Sequence, residues 1–400
     1  MHPPQSPTVE RRRLRVFSSL LVLVFLVNFG RVVFAPLLDP FIRVFGVGEA
    51  TVGLVATLAW LGTAVPRLPT GYLLTRVSRH RVVLGTGLLL AASSIFTAFA
   101  ESIWHVGIGA FLIGTTSGIY FIAANALVSE LFPDRVGRVI GIHGTASQTA
   151  AVVAPFLVTV AIALYDWRLL FVGLAVAALA GTAWLLYTAR QTELPDVGRE
   201  NRHLWRSVKA HWPIVVTALA IIGATGFVWN GFFNFFVRYL VTTKSLSSGV
   251  AGSMLTLIFA AGMPGFFYAG RLADRVPRIP LMLAVLGGFI LTLLAMTVVE
   301  NLLPIAAVTI AMGLIFHSLL PVIDTYLLDS LPDADRSSAY SAYSAAMTLV
   351  QAGAGLAVGT LVEAGLGFDR VYRTFAVFLT VILLVLLFLR VAGRLPEGTK

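Results

Sequence analysis

Two arginines stand inside long apolar stretches of the sequence, where a charged side chain is costly. Arg31 lies within the apolar stretch 16–38, and Arg67 lies within the stretch 50–73. A charge in such a place faces a cavity or a partner group. Guanidinium binds planar anions such as carboxylate, nitrate or phosphate, so both arginines are candidate anion-binding residues. The alternative is a structural bridge to one of four polar residues, Asp39, Asn125, Glu130 and Asp324.

Asparagines accompany these arginines at helical spacing. Asn28 precedes Arg31 by three residues, and Asn230 and Asn234 are four residues apart in the stretch 213–240. We expect Asn28, Asn125, Asn230 and Asn234 to line the binding site with the arginines. The alternative for each asparagine is a hydrogen bond that joins two helices. The helical rise puts Arg31 about 20 Å along its helix from the end that is assigned to the cytoplasm below, and Arg67 about 13 Å along its own. The two arginines thus lie at different depths and need not share one ligand.

A histidine and a carboxylate share one helical face in the stretch 302–328. His317 and Asp324 are seven residues apart, and Asp324 is the carboxylate deepest in an apolar stretch. A buried carboxylate is a usual proton carrier, with a histidine as relay, so this pair is the candidate proton-coupling site. The alternative is that Asp324 serves as the fixed counter-charge of an arginine.

Catalytic motifs are missing from the sequence. It has no phosphate-binding glycine loop, no His-Glu-x-x-His and no Gly-x-Ser-x-Gly. With no cysteine in the chain, thiolate chemistry and disulfides are excluded. We therefore predict no catalytic residue, no metal site, no cofactor and no enzymatic activity.

The elements that position these residues follow from composition. Of the 400 residues, 58% are hydrophobic and 12% are charged, with a net charge of +10. Twelve stretches are long enough to cross a bilayer as helices. The basic residues lie in short patches between them rather than on one soluble face, which argues against nucleic-acid binding. The predicted spans are 16–38, 50–73, 82–100, 104–129, 138–164, 168–189, 213–240, 249–271, 279–299, 302–328, 337–362 and 371–393.

Most Lys and Arg residues fall on one side of these spans. That asymmetry places both termini in the cytoplasm and the chain in the plasma membrane. We predict an all-α membrane protein of two pseudo-symmetric six-helix bundles. The bundles are residues 16–189 and 213–393, joined by a cytoplasmic linker at 190–212 and flanked by cytoplasmic tails at 1–15 and 394–400. Residues 203–212 mix aromatic and basic side chains, as an interfacial helix does.

The two halves repeat at an offset of 199 residues. At this offset Gly53, Gly71 and Gly114 match Gly252, Gly270 and Gly313, and Asn125 matches Asp324. Parallel copies are related by an axis along the membrane normal, and a transported solute sits between them. Arg31 matches Asn230, so we expect two walls of one cavity. Arg67 matches Phe266 and breaks the symmetry.

A loop motif occurs once in each copy. Residues 270–278 read Gly-Arg-Leu-Ala-Asp-Arg-Val-Pro-Arg, and residues 71–80 read Gly-Tyr-Leu-Leu-Thr-Arg-Val-Ser-Arg-His. The first resembles the loop motif of the major facilitator superfamily, and the second matches it with Thr75 in place of an aspartate. The resemblance spans nearly the whole chain and implies transport by alternating access. It also implies a cytoplasmic latch between the halves, weaker in the first copy; the alternative is that these arginines only orient the chain. The candidate gating residues are Gly71, Thr75, Arg76, Arg79, Glu130, Gly270, Asp274, Arg275, Arg278 and Asp329.

The substrate class is the remaining question. Residues 67–71, Arg-Leu-Pro-Thr-Gly, resemble a stretch of nitrate/nitrite transporters, although Phe266 stands where those proteins have a second arginine. The fifth span keeps Pro155 but lacks the glycines typical of drug–proton antiporters. We therefore expect a monomeric secondary transporter of a small anionic or polar solute, coupled to a proton or another ion. The alternatives are proton-coupled efflux of hydrophobic compounds and, outside transport, a channel or sensor.

Overall fold

A computed structural model describes residues 7–194, 209, 212–273, 276–330 and 333–395. Within its helices, side chains are described except at residues 7, 8, 270, 271, 273, 278, 320, 324, 325, 327–330 and 333–341. Regular structure in these ranges is helical throughout. The prediction of an all-α membrane protein with twelve spans is confirmed.

The spans agree with the sequence prediction within a few residues at most ends. The first span is much longer than the predicted 16–38. Its first helix begins among the basic residues before the apolar stretch, and a second helix extends the span beyond residue 38 to Phe45. In chain order the spans are Val9–Phe45, Glu49–Leu73, Arg79–Ala98, Ile103–Leu131, Pro133–Leu164, Arg168–Arg190, Trp212–Thr242, Ser248–Ala269, Ile279–Val298, Leu302–Ile323, Ala342–Glu363 and Phe368–Val391.

Several spans consist of two helices. The helices of the first half are α1 Pro7–Val32, α2 Phe34–Phe45, α3 Glu49–Ala64, α4 Arg67–Leu73, α5 Arg79–Ala98, α6 Ile103–Leu131, α7 Val136–Leu164 and α8 Arg168–Arg190. Those of the second half are α9 Trp212–Ala218, α10 Ala224–Thr242, α11 Ser248–Ala273, α12 Arg278–Val298, α13 Leu302–Ser330, α14 Asp333–Ala352, α15 Ala354–Glu363 and α16 Phe368–Val391. A π-helical turn, Leu219–Gly223, joins α9 to α10.

Prolines explain the breaks in the first two spans. Pro36 has no backbone N–H to bond the carbonyl of Val32, where α1 ends. In the second span, α3 and α4 are separated at Val65 and Pro66, so Arg67 is the first residue of α4. The predicted uninterrupted second span is thus interrupted immediately before Arg67, which is half-buried.

The chain divides into two compact units that do not coincide with the two sequence halves. Unit 1 comprises Met1–Phe34 and Leu58–Glu200, and unit 2 comprises Ala35–Thr57 and Asn201–Lys400. In unit 1, α1 packs on α6, α7 and α8, and α5 packs on α6 and α8. In unit 2, α13 packs on α11 and α12, and α10 packs on α11, α14 and α15. Residues 35–57, which connect the first two spans, therefore belong to unit 2. The predicted bundles, 16–189 and 213–393, stay a prediction.

The sequence repeat recurs as a packing contact within each unit. In unit 1 a Cβ on Gly114 would overlap the carbonyl group of Ala59, and in unit 2 a Cβ on Gly313 would overlap the carbonyl group of Ile258. Both residues of each contact are 199 positions from their counterparts. Glycine at these crossings lets two spanning helices touch backbone to backbone.

Candidate functional site

Arg31 is held by uncharged groups in unit 1. It lies in the last turn of α1, and its Nη2 donates to Oδ1 of Asn28 at 2.6 Å. The guanidinium carbon lies 4.6 Å from the ring centroid of Trp60, which is a cation–π distance. Asn28 is buried and donates through Nδ2 to the carbonyl oxygen of Ser147 at 2.7 Å. Because Asn28 is anchored on α7, its oxygen faces Arg31 and orients the guanidinium.

Among the described side chains, no carboxylate pairs with Arg31. In the part of the chain that the structure describes, no ion pair includes Arg31, and its buried Nε has no hydrogen-bond partner. Asp39, one alternative partner, pairs instead with Arg43 and Arg238. Among the described residues, the groups that hold this positive charge inside a membrane span are thus an amide and an indole.

Arg67 adds a second positive charge to the surroundings of Arg31, and the two charges repel each other. The position of Arg67 depends on a glycine of α6, Gly118. A Cβ on Gly118 would lie 2.7 Å from Cγ of Pro66, so only glycine lets the bend before Arg67 approach α6 this closely. Arg31 and Arg67 were expected at different depths with no need to share a ligand, but their electric fields overlap.

Asn125 is half-buried on α6. Its carbonyl oxygen accepts a hydrogen bond from the Ser129 hydroxyl at 2.8 Å. None of the described hydrogen bonds joins its side chain to Arg31, so its predicted role in binding stays a prediction.

A second polar group of unit 1 lies one turn along α7 from Ser147. The Tyr120 hydroxyl donates to the carbonyl oxygen of Leu20 at 2.7 Å and lies 3.2 Å from Nε2 of His143. The rings of Tyr120 and His143 stack, with centroids 5.9 Å apart. Both side chains are fully enclosed. This group and the Asn28–Ser147 hydrogen bond form a polar strip along α1 and α7.

In unit 2 the asparagines of the seventh span bind each other. Nδ2 of Asn234 donates to Oδ1 of Asn230 at 2.6 Å and to its carbonyl oxygen at 2.7 Å. Both are buried, and Nδ2 of Asn230 has no hydrogen-bond partner among the described residues. A spare donor in a buried place is consistent with solute binding, and that role stays a prediction.

His317 lies among aromatic rings in unit 2. Its Nδ1 is 2.9 Å from the carbonyl oxygen of Gly313, and the rings of Trp229, Phe259 and Phe316 lie 5.4 to 5.7 Å away. A Cβ on Gly262 would overlap the His317 ring, so the glycine makes room for it. The side chain of its proposed relay partner, Asp324, lies outside the described residues, and the relay stays a prediction.

The first copy of the loop motif contains an ion pair within unit 1. Nη2 of Arg79 lies 2.7 Å from Oε1 of Glu130, which joins the start of α5 to the end of α6. Arg76 instead lies over the ring of Tyr72, and Thr75 donates to the Tyr72 carbonyl at 2.8 Å. Gly71 lies in α4, one helical turn before Thr75.

The second copy of the motif is described only in part. Asp274 and Arg275 lie outside the described residues, as do the side chains at Gly270, Arg278 and Asp329. Gating by either copy therefore stays a prediction.

Sequence reasoning missed Trp60 and Ser147. An aromatic residue one helical turn from the end of α3 carries no distinctive pattern, and Ser147 contributes only its backbone carbonyl. In the described ranges, no group of three or more His, Asp and Glu side chains could hold a metal ion. The arrangement around Arg31 places a guanidinium beside an amide and an indole.

Comparison with known proteins identifies the family. The family model described as "Major Facilitator Superfamily" matches residues 20–302 and 235–400. Multidrug resistance protein MdtG of Proteus mirabilis (strain HI4320) is 24% identical over 365 residues, covering 87% of this chain and 89% of the relative. A probable sugar efflux transporter of Helicobacter pylori (strain G27) is 25% identical over 283 residues, covering 68% and 70%.

A solved structure has the same fold. It is a bacterial homolog of the human lysosomal transporter Spinster, and it superimposes with a TM-score of 0.77 at 17% sequence identity. The match covers 99% of this chain and 100% of that chain. The chain therefore belongs to the Major Facilitator Superfamily, and it is a multi-pass secondary transporter of a small solute and not an enzyme.

Proposed function

We propose that the transported solute is a small organic anion whose charged group binds at Arg31. The observation that carries the proposal is the positive charge of Arg31 without a carboxylate partner in the described part of the chain. A buried charge is stable when it is paired. We infer that the solute supplies the partner that is missing among the described residues.

The surroundings of Arg31 favour an anion over a neutral solute. Asn28 and Trp60 hold the guanidinium in place, so little conformational freedom is lost when a carboxylate binds. Arg67 repels Arg31, and an anion placed close to both relieves that repulsion. A hydrogen bond to a charged group contributes about 1.5–3 kcal/mol, so loss of the Arg31 contact weakens binding by roughly 10- to 100-fold.

The names of the relatives bear on the rest of the solute, beyond its negative charge. They are named for multidrug resistance and sugar efflux, and neither name specifies an inorganic ion. Trp60 is partly exposed and offers an aromatic surface beside the guanidinium. An organic anion with an apolar body uses both features.

The test is thermal stabilisation of the purified protein by three probes that share one ring. Benzoate carries a negative charge, benzamide none, and benzylammonium a positive charge. Benzoate should raise the unfolding temperature in a concentration-dependent way, because a ligand that binds the folded state stabilises it. Arg31→Gln should remove that shift. Arg43→Gln is the control, because Arg43 lies in the same span on the exposed end of α2.

Three results would each count against the anion. Equal shifts with benzamide and benzoate would show that charge is not recognised. A benzoate shift that survives Arg31→Gln would place the anion elsewhere. No shift by benzoate, nitrate or phosphate, together with one by benzylammonium, would favour a cation.

Export of hydrophobic compounds is the second candidate, supported by a cavity in unit 2. A space of about 750 Å³ lies among α11, α12 and α13, with a mostly apolar lining that includes Tyr268, Leu272 and Leu314. Its size suits a drug-sized molecule. The name of the Proteus mirabilis relative also supports this candidate. Stabilisation by an uncharged hydrophobic compound, unchanged in Arg31→Gln, would favour it over the anion.

We further propose a monomer in the plasma membrane, with both termini cytoplasmic and transport coupled to a proton through Asp324 and His317. The excess of Lys and Arg on the side of the termini supports the orientation. The enclosed position of His317 supports a site shielded from bulk water. The loop motifs are proposed as the cytoplasmic gate, in which the Arg79–Glu130 pair joins the start of α5 to the end of α6 within the first half.

A further inference from the structure

One arginine of α10 holds two carboxylates from residues 35–57. Nη1 of Arg238 lies 2.9 Å from Oδ1 of Asp39, and its Nη2 lies 2.9 Å from Oε1 of Glu49. The Asp39 side chain is 1% exposed, whereas those of Arg238 and Glu49 are each 21% exposed. These three residues, called the outer lock below, lie on the side of the membrane opposite the termini. All belong to unit 2.

Other contacts between residues 35–57 and α15 run alongside the outer lock. The backbone N–H of Ala50 donates to Oε2 of Glu363 at 2.7 Å, and the backbone N–H of Leu356 donates to Oγ1 of Thr57 at 2.9 Å. Gly53 and Gly355 meet backbone to backbone. These contacts with α15 are made by backbone groups, two hydrogen bonds and a glycine on each side.

The central ion pair joins equivalent positions of the repeat. Asp39 and Arg238 are 199 residues apart, which is the offset of the two sequence halves. Equivalent positions of two parallel copies meet only beside the axis that relates the copies. The outer lock thus lies where the outer ends of the first and seventh spans come together.

We propose that the outer lock is the gate on that side of the membrane and that it opens in each transport cycle. Residues 35–57 are continuous with helices whose other parts lie in unit 1, so a movement of those helices pulls on the segment. When Arg238 leaves, Asp39 keeps a partner, because Nη1 of Arg43 lies 2.7 Å from its Oδ2 one turn along α2. When the outer lock opens, Asp39 is therefore not left as an unpaired buried carboxylate. This lowers the energy barrier to opening and makes the gate reversible.

A cysteine placed under the contact reports its opening. The chain has no cysteine, and Ala56 is 1% exposed, with its Cβ 3.0 Å from the position of a Cβ on Gly355. Ala56→Cys is therefore a unique thiol that reacts only when residues 35–57 leave α15. The measurement is the rate at which a membrane-impermeant maleimide, added on the outer side, labels this thiol in membranes.

The outer-lock variants should label faster than the parent. In the Ala56→Cys background, Arg238→Gln and Glu49→Gln each should accelerate labelling, Arg238→Gln by about tenfold or more, between the effects of exposed and of buried ion pairs. Arg43→Gln removes an ion pair of the same Asp39 carboxylate within one helix. It leaves the outer lock intact but removes the partner that Asp39 keeps when Arg238 leaves, so it should label no faster than the parent.

Each outcome decides the proposal. Labelling of Arg238→Gln and Glu49→Gln at the parent rate would overturn it, as would an equal acceleration by Arg43→Gln. The parent thiol itself should label slowly to completion, and a thiol that reacts only after denaturation would show that the segment never leaves. If Arg238→Gln does not insert, Glu49→Gln decides alone. The measurement needs no substrate, so its result is independent of the anion proposal.

Discussion

Alanine at either repeat-related glycine should destabilise the transporter by forcing two helices apart. A Cβ on Gly313 would overlap the carbonyl oxygen of Ile258 and lie 3.1 Å from its carbonyl carbon and 3.2 Å from Cβ of Ala261. Favourable contacts begin at about 3.5 Å, and that oxygen is the nearest of these atoms to the added Cβ, so α11 and α13 must separate by about 1 Å at this point. The obstructing atoms are backbone, which cannot rotate away. Overpacking of this kind costs about 1–3 kcal/mol.

The same substitution in the other copy provides an internal comparison. A Cβ on Gly114 would lie 3.0 Å from the carbonyl carbon of Ala59 and 3.2 Å from the backbone nitrogen of Thr63. Since the crossing has the same geometry, Gly114→Ala should cost about as much as Gly313→Ala. The two sites lie in different units, so their effects should add in the double variant.

Thermal unfolding of the detergent-solubilised protein measures these changes. Gly141→Ala is the matched control, because Gly141 lies within α7 with nothing within 4 Å of an added Cβ. It should be neutral or stabilising, since alanine is the better helix former by about 1 kcal/mol. Parent-like stability of Gly114→Ala and Gly313→Ala, or an equal loss in Gly141→Ala, would refute the close-contact argument.

Two further predictions concern charged groups. Arg79→Gln and Glu130→Gln should each lower the unfolding temperature, and a double-mutant cycle should give a coupling of about 1–2 kcal/mol, because the pair is neither fully buried nor fully exposed. A coupling near zero would show that the two charges contribute nothing as a pair. In proteoliposomes, Asp324→Asn should uncouple proton flux from solute flux while solute exchange continues; a pH gradient that still drives transport would place the coupling proton elsewhere.

Most of the fold could be predicted from the sequence, because apolar length and the cost of unpaired backbone groups in lipid leave only helices. The offset of 199 residues correctly matched Gly114 to Gly313, since a close helix crossing admits only glycine. The break before Arg67 was not predicted. Pro66 and Pro69 mark a place where a helix is weakened, but the approach of Gly118 on α6 could not be inferred from sequence.

For the candidate site, the sequence indicated which residues take part better than it indicated which groups they contact. Buried arginines are conspicuous in a hydropathy profile, whereas Trp60 and the carbonyl of Ser147 have no pattern that marks them. Asp39 was considered as a partner for Arg31 or Arg67, and it pairs with Arg43 and Arg238 instead. Partner choice depends on which helix ends meet, and residues 35–57 pack with the second half of the chain rather than the first.

The pairing of Asp39 with Arg238 also bears on the ancestry of the chain. In a dimer of two identical six-span subunits, two-fold symmetry places the same residue at both positions, so aspartate would face aspartate or arginine would face arginine. Either arrangement repels. A complementary pair at this place requires two segments whose sequences differ, as the two halves of this chain do. The attraction between Asp39 and Arg238 is therefore available to this chain and not to a symmetric dimer of identical six-span subunits.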